Sequence, residues 1–330
     1  MSIKNICLGT IGSGEIVRSL LDGIAVTDGI QCEAVYSRSR EKGMRLAEAY
    51  GAKKVYTTLE DLMTDEAVNF IYVASPNSLH YEQAKMALEY GKNVICEKPF
   101  TTTLEKAEEL VRLYKSKGLF LFDAVPPSFL PNFYAVKELL KKIGPIKLVM
   151  SNYSQYSSRY DSLKAGAVTN VFSPDFAGGC LQDIGFYNLY FNIAMFGKPE
   201  VSTYYPNQYA NMIDTSGVLV LQYDGFVSTN AGAKDTWGIN FVQVEGEQGY
   251  IYIKDGSNAL TEVKIVTKAG EETVNLQPEP SRWLYEVRGI ADIVHRDDHK
   301  DCYHRLDVML DVIGTLEKTR KAAGIYFTGE

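Results

Sequence analysis

Short apolar runs alternate with helix-forming segments through the first 124 residues, and this alternation constrains the fold more than any other feature. The first run, at residues 3–9, leads through a glycine-rich turn into a segment with apolar residues at helical spacing. Five further runs follow, each separated from the next by a helical segment. Six strands that alternate with helices predict a parallel, doubly wound α/β sheet of the Rossmann type.

The turn after the first strand contains Gly12 and Gly14. Gly12 would allow a tight turn, and Gly14 would let the backbone approach a pyrophosphate held at the start of the following helix. Val17 stands where the dinucleotide fingerprint usually has glycine or alanine. Because the glycines lie between a strand and a helix, the pattern predicts a dinucleotide site.

The second strand, at 31–36, ends in Ser37 and Arg38, with Arg40 close behind. Sites for NAD usually carry an acid here, which binds the ribose 2′-hydroxyl. A guanidinium instead pairs with a 2′-phosphate. The sequence therefore favours NADP, with NAD as the alternative; the other interpretation is that Arg38 and Arg40 are solvated residues of the next helix.

Lys98 directly follows a buried run at 93–96 and precedes Pro99. A lysine just past such a strand lies at the carboxyl edge of the sheet, where open α/β sheets bind ligands. Proline restricts Lys98 to an extended backbone. We expect a trans Lys98–Pro99 bond and keep a cis bond as a minor hypothesis, since only about 5–6% of such bonds are cis. On this segment alone, a solvated surface lysine is an equal alternative to a functional one.

The pattern changes at Pro126 and Pro127, which indicates a domain boundary near residue 124. Residues 125–330 then predict an α+β domain that binds substrate and mediates oligomerisation. It contains a loop-like stretch at 157–177, a helix at 180–196 and a series of strands joined by hairpin turns, typical of a large, mostly antiparallel sheet. One face of that sheet would be open and would suit a second copy of the chain. The terminal helices, within 282–323, could pack back on the first domain.

Asp183 and Tyr187 are four residues apart and would share one face of the helix at 180–196. Gly185 between them lowers helix stability by about 1 kcal/mol relative to alanine, which suggests close approach of a nicotinamide or substrate. A free phenol titrates near pH 10, and a neighbouring ammonium such as that of Lys98 would favour the phenolate. These groups suit proton transfer in carbonyl–alcohol redox chemistry. The alternative is a packed tyrosine with its hydroxyl hydrogen-bonded elsewhere.

Composition excludes several other classes of protein. The net charge of −7 argues against a nucleic-acid binder, and no apolar run is long enough to span a membrane. The start of the chain does not resemble a signal peptide. Five scattered cysteines without a Cys-x-x-Cys motif indicate reduced thiols in the cytoplasm.

A cluster of histidines and acids at 295–304 also has metal-ligand character, since His295 and His299 are four residues apart and Cys302 follows. Its density of charge instead favours a solvated connection between the terminal helices, and we predict no metal site.

Four motifs together resemble the Gfo/Idh/MocA oxidoreductases over essentially the whole chain. They are Gly12-Ser13-Gly14-Glu15-Ile16, Ser75-Pro76-Asn77 with His80, Glu97-Lys98-Pro99, and Gly178-Gly179 with Asp183 and Tyr187. Tyr187 stands where many members have histidine, which is similar to the branch of glucose–fructose oxidoreductase and dimeric dihydrodiol dehydrogenase. Ser128 and Asn170 depart from the charged residues expected in that branch, which leaves the substrate open.

The resemblance implies an NAD(P)-dependent enzyme that moves a hydride between nicotinamide and a hydroxyl or carbonyl of a sugar-like or dihydrodiol-like molecule. It implies a homodimer or homotetramer, with NADP the common cofactor. The implied catalytic residues are Lys98, Tyr187 and Asp183. The candidates for cofactor binding are Gly9, Ile11, Gly12, Ser13, Gly14, Glu15, Ile16, Ser37, Arg38, Ala74, Ser75, Pro76, Asn77, His80, Glu97 and Lys98. His80 could instead cap its helix. Two alternatives stay open: a non-catalytic regulator that senses a nucleotide, and an NAD-dependent glycosidase.

Overall fold

A computed structural model describes residues 3–330 and divides the chain into two compact units. The first unit ends at Pro126 and also includes Ser281–Leu310; the second consists of Pro127–Pro280 and Asp311–Glu330.

The strands are β1 (Ile6–Ile11), β2 (Ile30–Tyr36), β3 (Lys54–Tyr56), β4 (Phe70–Val73), β5 (Asn93–Glu97), β6 (Leu121–Ala124), β7 (Ile146–Ser154), β8 (Val201–Gln208), β9 (Asp214–Tyr223), β10 (Phe226–Ala233), β11 (Phe241–Gly246), β12 (Gly249–Lys254), β13 (Glu262–Thr267) and β14 (Gly270–Val274). The helices are α1 (Glu15–Ile24), α2 (Arg40–Tyr50), α3 (Leu59–Thr64), α4 (His80–Glu89), α5 (Leu104–Lys117), α6 (Pro131–Leu140), α7 (Ser158–Lys164), α8 (Phe186–Phe196), α9 (Arg282–His295) and α10 (His299–Ala322).

The sheet of the first unit is parallel, with strand order β3-β2-β1-β4-β5-β6. This is the order of dinucleotide-binding folds, in which ligands bind beyond the carboxyl ends of the strands. All four residues of β4 are buried, as expected of a strand covered on both faces. The prediction of a doubly wound sheet is confirmed. Helix α9 also belongs to this unit, where it packs against α1.

The sheet of the second unit has eight strands in the order β14-β13-β12-β11-β7-β10-β9-β8. Only β7 and β10 pair in parallel, so the predicted, mostly antiparallel sheet is confirmed. Helix α6 contacts β12 and β13, while α8 contacts β7 and β10. The alternating apolar residues of these strands thus form the core of the unit beneath the helices.

Two predicted loops are more ordered than expected. The stretch at 157–177 contains α7 and two short 3₁₀ turns, and Ser157 caps α7 by accepting a hydrogen bond from the backbone N–H of Arg159. In the segment at 295–304, only residues 296–298 separate α9 from α10. Cys302 is fully buried, and His299 stacks on Phe120 with ring centroids 4.1 Å apart. The connection itself, at 295–297, is exposed as expected of a solvated segment, whereas His299 and Cys302 pack on the first unit.

Within residues 3–330, no three histidine, cysteine or acidic side chains converge as metal ligands would. Over the same residues, every helix is too short or too polar to cross a bilayer.

Candidate active site

The glycine-rich turn begins at Gly12, because β1 continues through Gly9 to Ile11. Gly12 has φ +124°, and a Cβ there would lie 2.7 Å from the carbonyl oxygen of Ala74, so only glycine fits. Gly14 precedes α1 without a side-chain cap, and a Cβ added to it would meet nothing within 4 Å. The start of α1 thus has no side-chain cap and open space beside Gly14, and this part of the chain fits a pyrophosphate.

Gly9 and Ile11 have packing roles inside β1. A Cβ on Gly9 would lie 2.8 Å from Leu62 Cδ1 and 3.0 Å from Val68 Cγ1, and Ile11 is buried. Val17 is also buried, with a methyl group 3.4 Å from the Cβ position of Gly12. Contact of Gly9 and Ile11 with a cofactor stays a prediction, as it does for Ser13, Glu15 and Ile16.

The carboxyl end of β2 presents two unpaired guanidinium groups. Ser37 is buried, and its Oγ accepts a hydrogen bond from Ser39 N at 3.3 Å. Arg38 and Arg40 are exposed, and neither forms an ion pair with any residue from 3 to 330. Both charges are therefore available to an anion beside this strand end.

His80 connects the loops that follow β4 and β5. Its Nε2 lies 2.7 Å from the carbonyl oxygen of Ser75, and its Nδ1 lies 3.0 Å from that of Pro99. Burial lowers the pKa of this imidazole, and the two carbonyls raise it in part. The capping alternative was wrong, because both ring nitrogens face these carbonyls rather than the N–H groups of α4. The loop from Ala74 to Asn77 and the Lys98 segment are thus held by one buried side chain.

Lys98 follows β5 directly and is half-buried. The Lys98–Pro99 peptide bond is cis, contrary to our expectation. The carboxylate of Glu97 accepts a hydrogen bond from Tyr72 Oη at 2.6 Å. The first unit therefore places the glycine turn, the β2 arginines, Ser75 and Lys98 at the carboxyl edge of a single sheet.

In the second unit, Asp183 lies in a π-helical turn, Leu181–Gly185, that leads into α8. The sequence predicted a regular α-helix here; π turns are rare and occur frequently at functional sites. Tyr187, in the first turn of α8, is 7% exposed, and its ring meets that of Tyr153 edge-on at 5.8 Å. Gly185 packs near β10, where its Cα lies 3.8 Å from the position that a Cβ added to Gly232 would occupy. Approach of a ligand to Gly185 stays a prediction.

Asp214 anchors the start of the π turn. Its carboxylate accepts hydrogen bonds from Leu181 N at 2.6 Å and from Tyr204 Oη at 2.7 Å. Burial raises the pKa of Asp214, and these donors lower it in part. Gly179 has φ +117°, and a Cβ there would lie 2.3 Å from Asp214 Oδ1. The glycine pair therefore lets a buried carboxylate reach the helix start.

Lys234 was missed by the sequence analysis. It is 6% exposed, and its ammonium forms an ion pair with the carboxylate of Asp183. Its backbone is fixed by hydrogen bonds from Lys234 N to Thr215 O and from Ser157 N to Lys234 O. The apolar pattern at 226–231 predicts a strand that ends before Gly232, whereas β10 continues to Ala233. With the correct end, Lys234 directly follows a strand, the same signal that identified Lys98.

The strand order, the glycine turn and the polar residues at the carboxyl edge define a dinucleotide-dependent oxidoreductase. Residues 6–124 match the sequence profile of the Gfo/Idh/MocA proteins, an oxidoreductase family with an NAD-binding Rossmann fold. The scyllo-inositol 2-dehydrogenase (NADP(+)) of Bacillus subtilis is 31% identical over 321 residues, which are 97% of this chain and 98% of that protein. The trans-1,2-dihydrobenzene-1,2-diol dehydrogenase of Sus scrofa is 26% identical over 317 residues, 90% of each chain.

A crystal structure of a 3-ketoreductase from Actinomadura kijaniata, in complex with NADP and TDP-benzene, shares the fold with a TM-score of 0.84. It covers 98% of this chain and 99% of its own, at 22% identity. The chain belongs to the Gfo/Idh/MocA family of oxidoreductases. The predicted family and the predicted NAD(P)-dependent oxidoreductase activity are thereby confirmed.

Proposed function

We propose that this protein is an NADP-dependent dehydrogenase or reductase acting on a CH–OH or carbonyl group of a sugar-like or dihydrodiol-like molecule. Support comes from similarity over nearly the whole chain to a dehydrogenase of a cyclitol and to dehydrogenases of a dihydrodiol. The observation that carries the proposal is the presence of both Lys98 and Tyr187 at element ends, one after β5 and one at the start of α8. In this proposal the first domain, 1–124, binds the dinucleotide, and residues 125–330 bind substrate and a second copy.

The bound nicotinamide would accept or supply the hydride, and the protein must handle the proton. In this proposal Tyr187 Oη gives a proton to the substrate oxygen during reduction and removes one during oxidation. Lys98 is the second residue proposed for this proton transfer, because an ammonium group favours the ionised form of a phenol. Asp183 binds or orients a substrate hydroxyl, and Lys234 fixes the direction of that carboxylate.

NADP is favoured over NAD because Arg38 and Arg40 have no acidic partner among residues 3–330 and follow the strand that normally contacts the adenosine ribose. We expect NADPH to bind at least about tenfold more tightly than NADH, since a guanidinium–phosphate pair contributes a charge-assisted hydrogen bond. Substitution Arg38→Ala should remove most of that difference and leave NADH binding nearly unchanged. Fluorescence titration with both nucleotides measures this; equal affinities in the wild-type protein would contradict the preference.

The proposed chemistry is tested by Lys98→Met and Tyr187→Phe, each assayed on a panel of sugars, cyclitols and diketones. Both variants should lose at least about a hundredfold in kcat, the lower end of the general acid–base contribution, while they still bind NADPH. Lys141→Met is a matched control, because that lysine is exposed at the end of α6 and pairs with Glu138 on the same helix. Wild-type turnover in either site variant would exclude these roles. Glycoside cleavage without net redox would instead identify the glycosidase alternative.

The open face of the eight-stranded sheet supports assembly into a homodimer or homotetramer. Strand pairing places Tyr205, Val218, Val227 and Tyr250 on this face, opposite the face that holds the buried core residues. All four side chains are more than a third exposed. Such a row of apolar residues on one sheet face is typical of an interface. All five cysteines are free thiols, which supports a reducing compartment such as the cytoplasm.

A further inference from the structure

Glu286, on α9 of the first unit, is a buried acid whose carboxylate has no hydrogen-bond partner among residues 3–330. It is 0% exposed, and neither carboxylate oxygen accepts a hydrogen bond from any residue between 3 and 330. Glutamate is almost never fully buried unless it is paired. An ionised carboxylate in that position would cost several kcal/mol, so the group must be neutral or respond to a charge nearby.

Two more carboxyl groups, at the carboxyl edge of the parallel sheet, act on it electrostatically, and both carboxylate oxygens of one of them, Asp123, are buried. Glu97 ends β5, and Asp123 lies on the adjacent strand β6, where Glu97 pairs with Ala124. Burial raises the pKa of Glu97, Asp123 and Glu286, and the charge of Glu97 raises those of the other two further. Because each of these groups is desolvated and their charges repel, ionising all three at once is unfavourable.

The surrounding groups oppose this effect only in part. Those that face the three carboxyls are Tyr72, Cys96, Lys98, Arg282, Arg305 and the backbone N–H of Phe100. Tyr72 keeps its proton, because burial and Glu97 raise its pKa well above the ordinary value. Within residues 3–330, no three histidine, cysteine or acidic side chains are arranged to hold a metal ion. Protons are the remaining means of neutralising the cluster.

We propose that Glu97, Asp123 and Glu286 form a proton-exchange site that holds a proton at neutral pH and releases it when the oxidised nicotinamide binds. The oxidised ring carries a positive charge that the reduced ring lacks. Dinucleotides bind at the carboxyl edge of sheets with this strand order, the edge at which Glu97 ends β5. A positive charge there favours the ionised carboxylates. The balanced step is that protonated enzyme and NADP⁺ give the binary complex and one proton in solution.

This inference rests on the proposed use of NADP, and its consequence is a pH-dependent choice between the two redox forms. Because binding of NADP⁺ releases a proton, its affinity relative to NADPH should rise with pH, by up to about tenfold per pH unit where the cluster titrates. The 2′-phosphate titrates in both nucleotides, so its titration affects both affinities alike and does not change the ratio of NADP⁺ affinity to NADPH affinity. Oxidation of substrate would then be favoured at higher pH by the binding step alone.

Isothermal titration calorimetry in two buffers of different ionisation enthalpy counts the protons released. At pH 7 the wild-type protein should release about half a proton more with NADP⁺ than with NADPH. Glu286→Gln, which is neutral and nearly isosteric, should lose most of this difference, whereas Glu105→Gln, an exposed acid in the same unit, should keep it. Asp123→Asn provides the same test if Glu286→Gln does not fold.

Equal proton release with both nucleotides in the wild-type protein would overturn the inference while leaving the proposed function intact. An undiminished difference in both Glu286→Gln and Asp123→Asn would also overturn it. Failure of the proposed function has a different signature, namely no binding of either nucleotide or no turnover of any substrate in the panel.

Discussion

Lys234 shows what a single side chain contributes to the candidate site. Its ammonium is almost completely buried and pairs with Asp183, which is the acid proposed to contact substrate. Lys234 is not held by that pair alone, because its backbone is hydrogen-bonded to Thr215 and Ser157. The lysine is therefore a rigid support for a carboxylate that lies at a helix start.

Substitution Lys234→Met should raise KM for substrate more than it lowers kcat, because it frees Asp183 to rotate without removing the proposed proton donor. We expect kcat/KM to fall at least about tenfold and stability to fall by about 1.5–3 kcal/mol, the value of a hydrogen bond to a charged group. Steady-state kinetics and thermal unfolding measure both effects. Lys234→Arg should recover part of the loss, and Lys141→Met should show none of it. A fall in kcat with KM unchanged would contradict a positioning role.

Prediction from the sequence was least complete for the positions and contacts of individual side chains. Lys98 was found because the apolar run before it is short and clearly bounded, whereas the strand before Lys234 ends in Ala231-Gly232-Ala233, which carries little signal. The buried position of His80 depends on the carbonyls of Ser75 and Pro99, and local sequence does not specify such contacts. Glu286 lies on an ordinary amphipathic helix, so its complete burial became visible only in the folded chain.

At the scale of elements, the π turn at Leu181–Gly185 depends on contacts that are distant in sequence. Asp214, which holds Leu181 N, is 33 residues further along the chain. No periodicity within 180–196 could have indicated that contact, so the sequence predicted a regular helix. By contrast, the alternation of strands and helices in the first 124 residues depends on local patterns, and its prediction was correct.

Substitution Gly179→Ala tests this arrangement. The new methyl group would meet Asp214 Oδ1 while the backbone keeps a conformation that alanine rarely adopts, so we expect a loss of about 1–3 kcal/mol in stability. Activity should fall as well, since Asp183 and Tyr187 follow the displaced helix start. Gly166→Ala is the matched control, because Gly166 also has positive φ but open space around its Cβ position. If the melting temperatures of the two variants fall equally, the contact with Asp214 adds nothing to the destabilisation caused by the backbone conformation.

At the scale of the whole molecule, the exposed face of the second sheet predicts self-association. Two charges placed in the row of apolar side chains, as in the double variant Val218→Glu and Tyr250→Glu, should reduce the mass in solution to that of one chain. Light scattering coupled to size exclusion measures that mass, and circular dichroism checks that the sheet remains folded. The double variant Lys141→Glu and Lys147→Glu places the same charges at exposed positions outside that row and serves as the control. A wild-type protein that is monomeric at micromolar concentration would contradict this expectation.

The parallel pair at the centre of the second sheet has a consequence for how the chain assembles. Leu148 of β7 lies beside Val227 of β10, so the partners are separated by 227 − 148 = 79 positions. Bringing the two ends of so long a segment together costs conformational entropy before the contacts between the strands stabilise it. Pairings between residues that are distant in sequence therefore slow folding. During synthesis, β7 leaves the ribosome before β10 has been made. The two strands at the centre of the sheet therefore cannot pair until β10 has been synthesised.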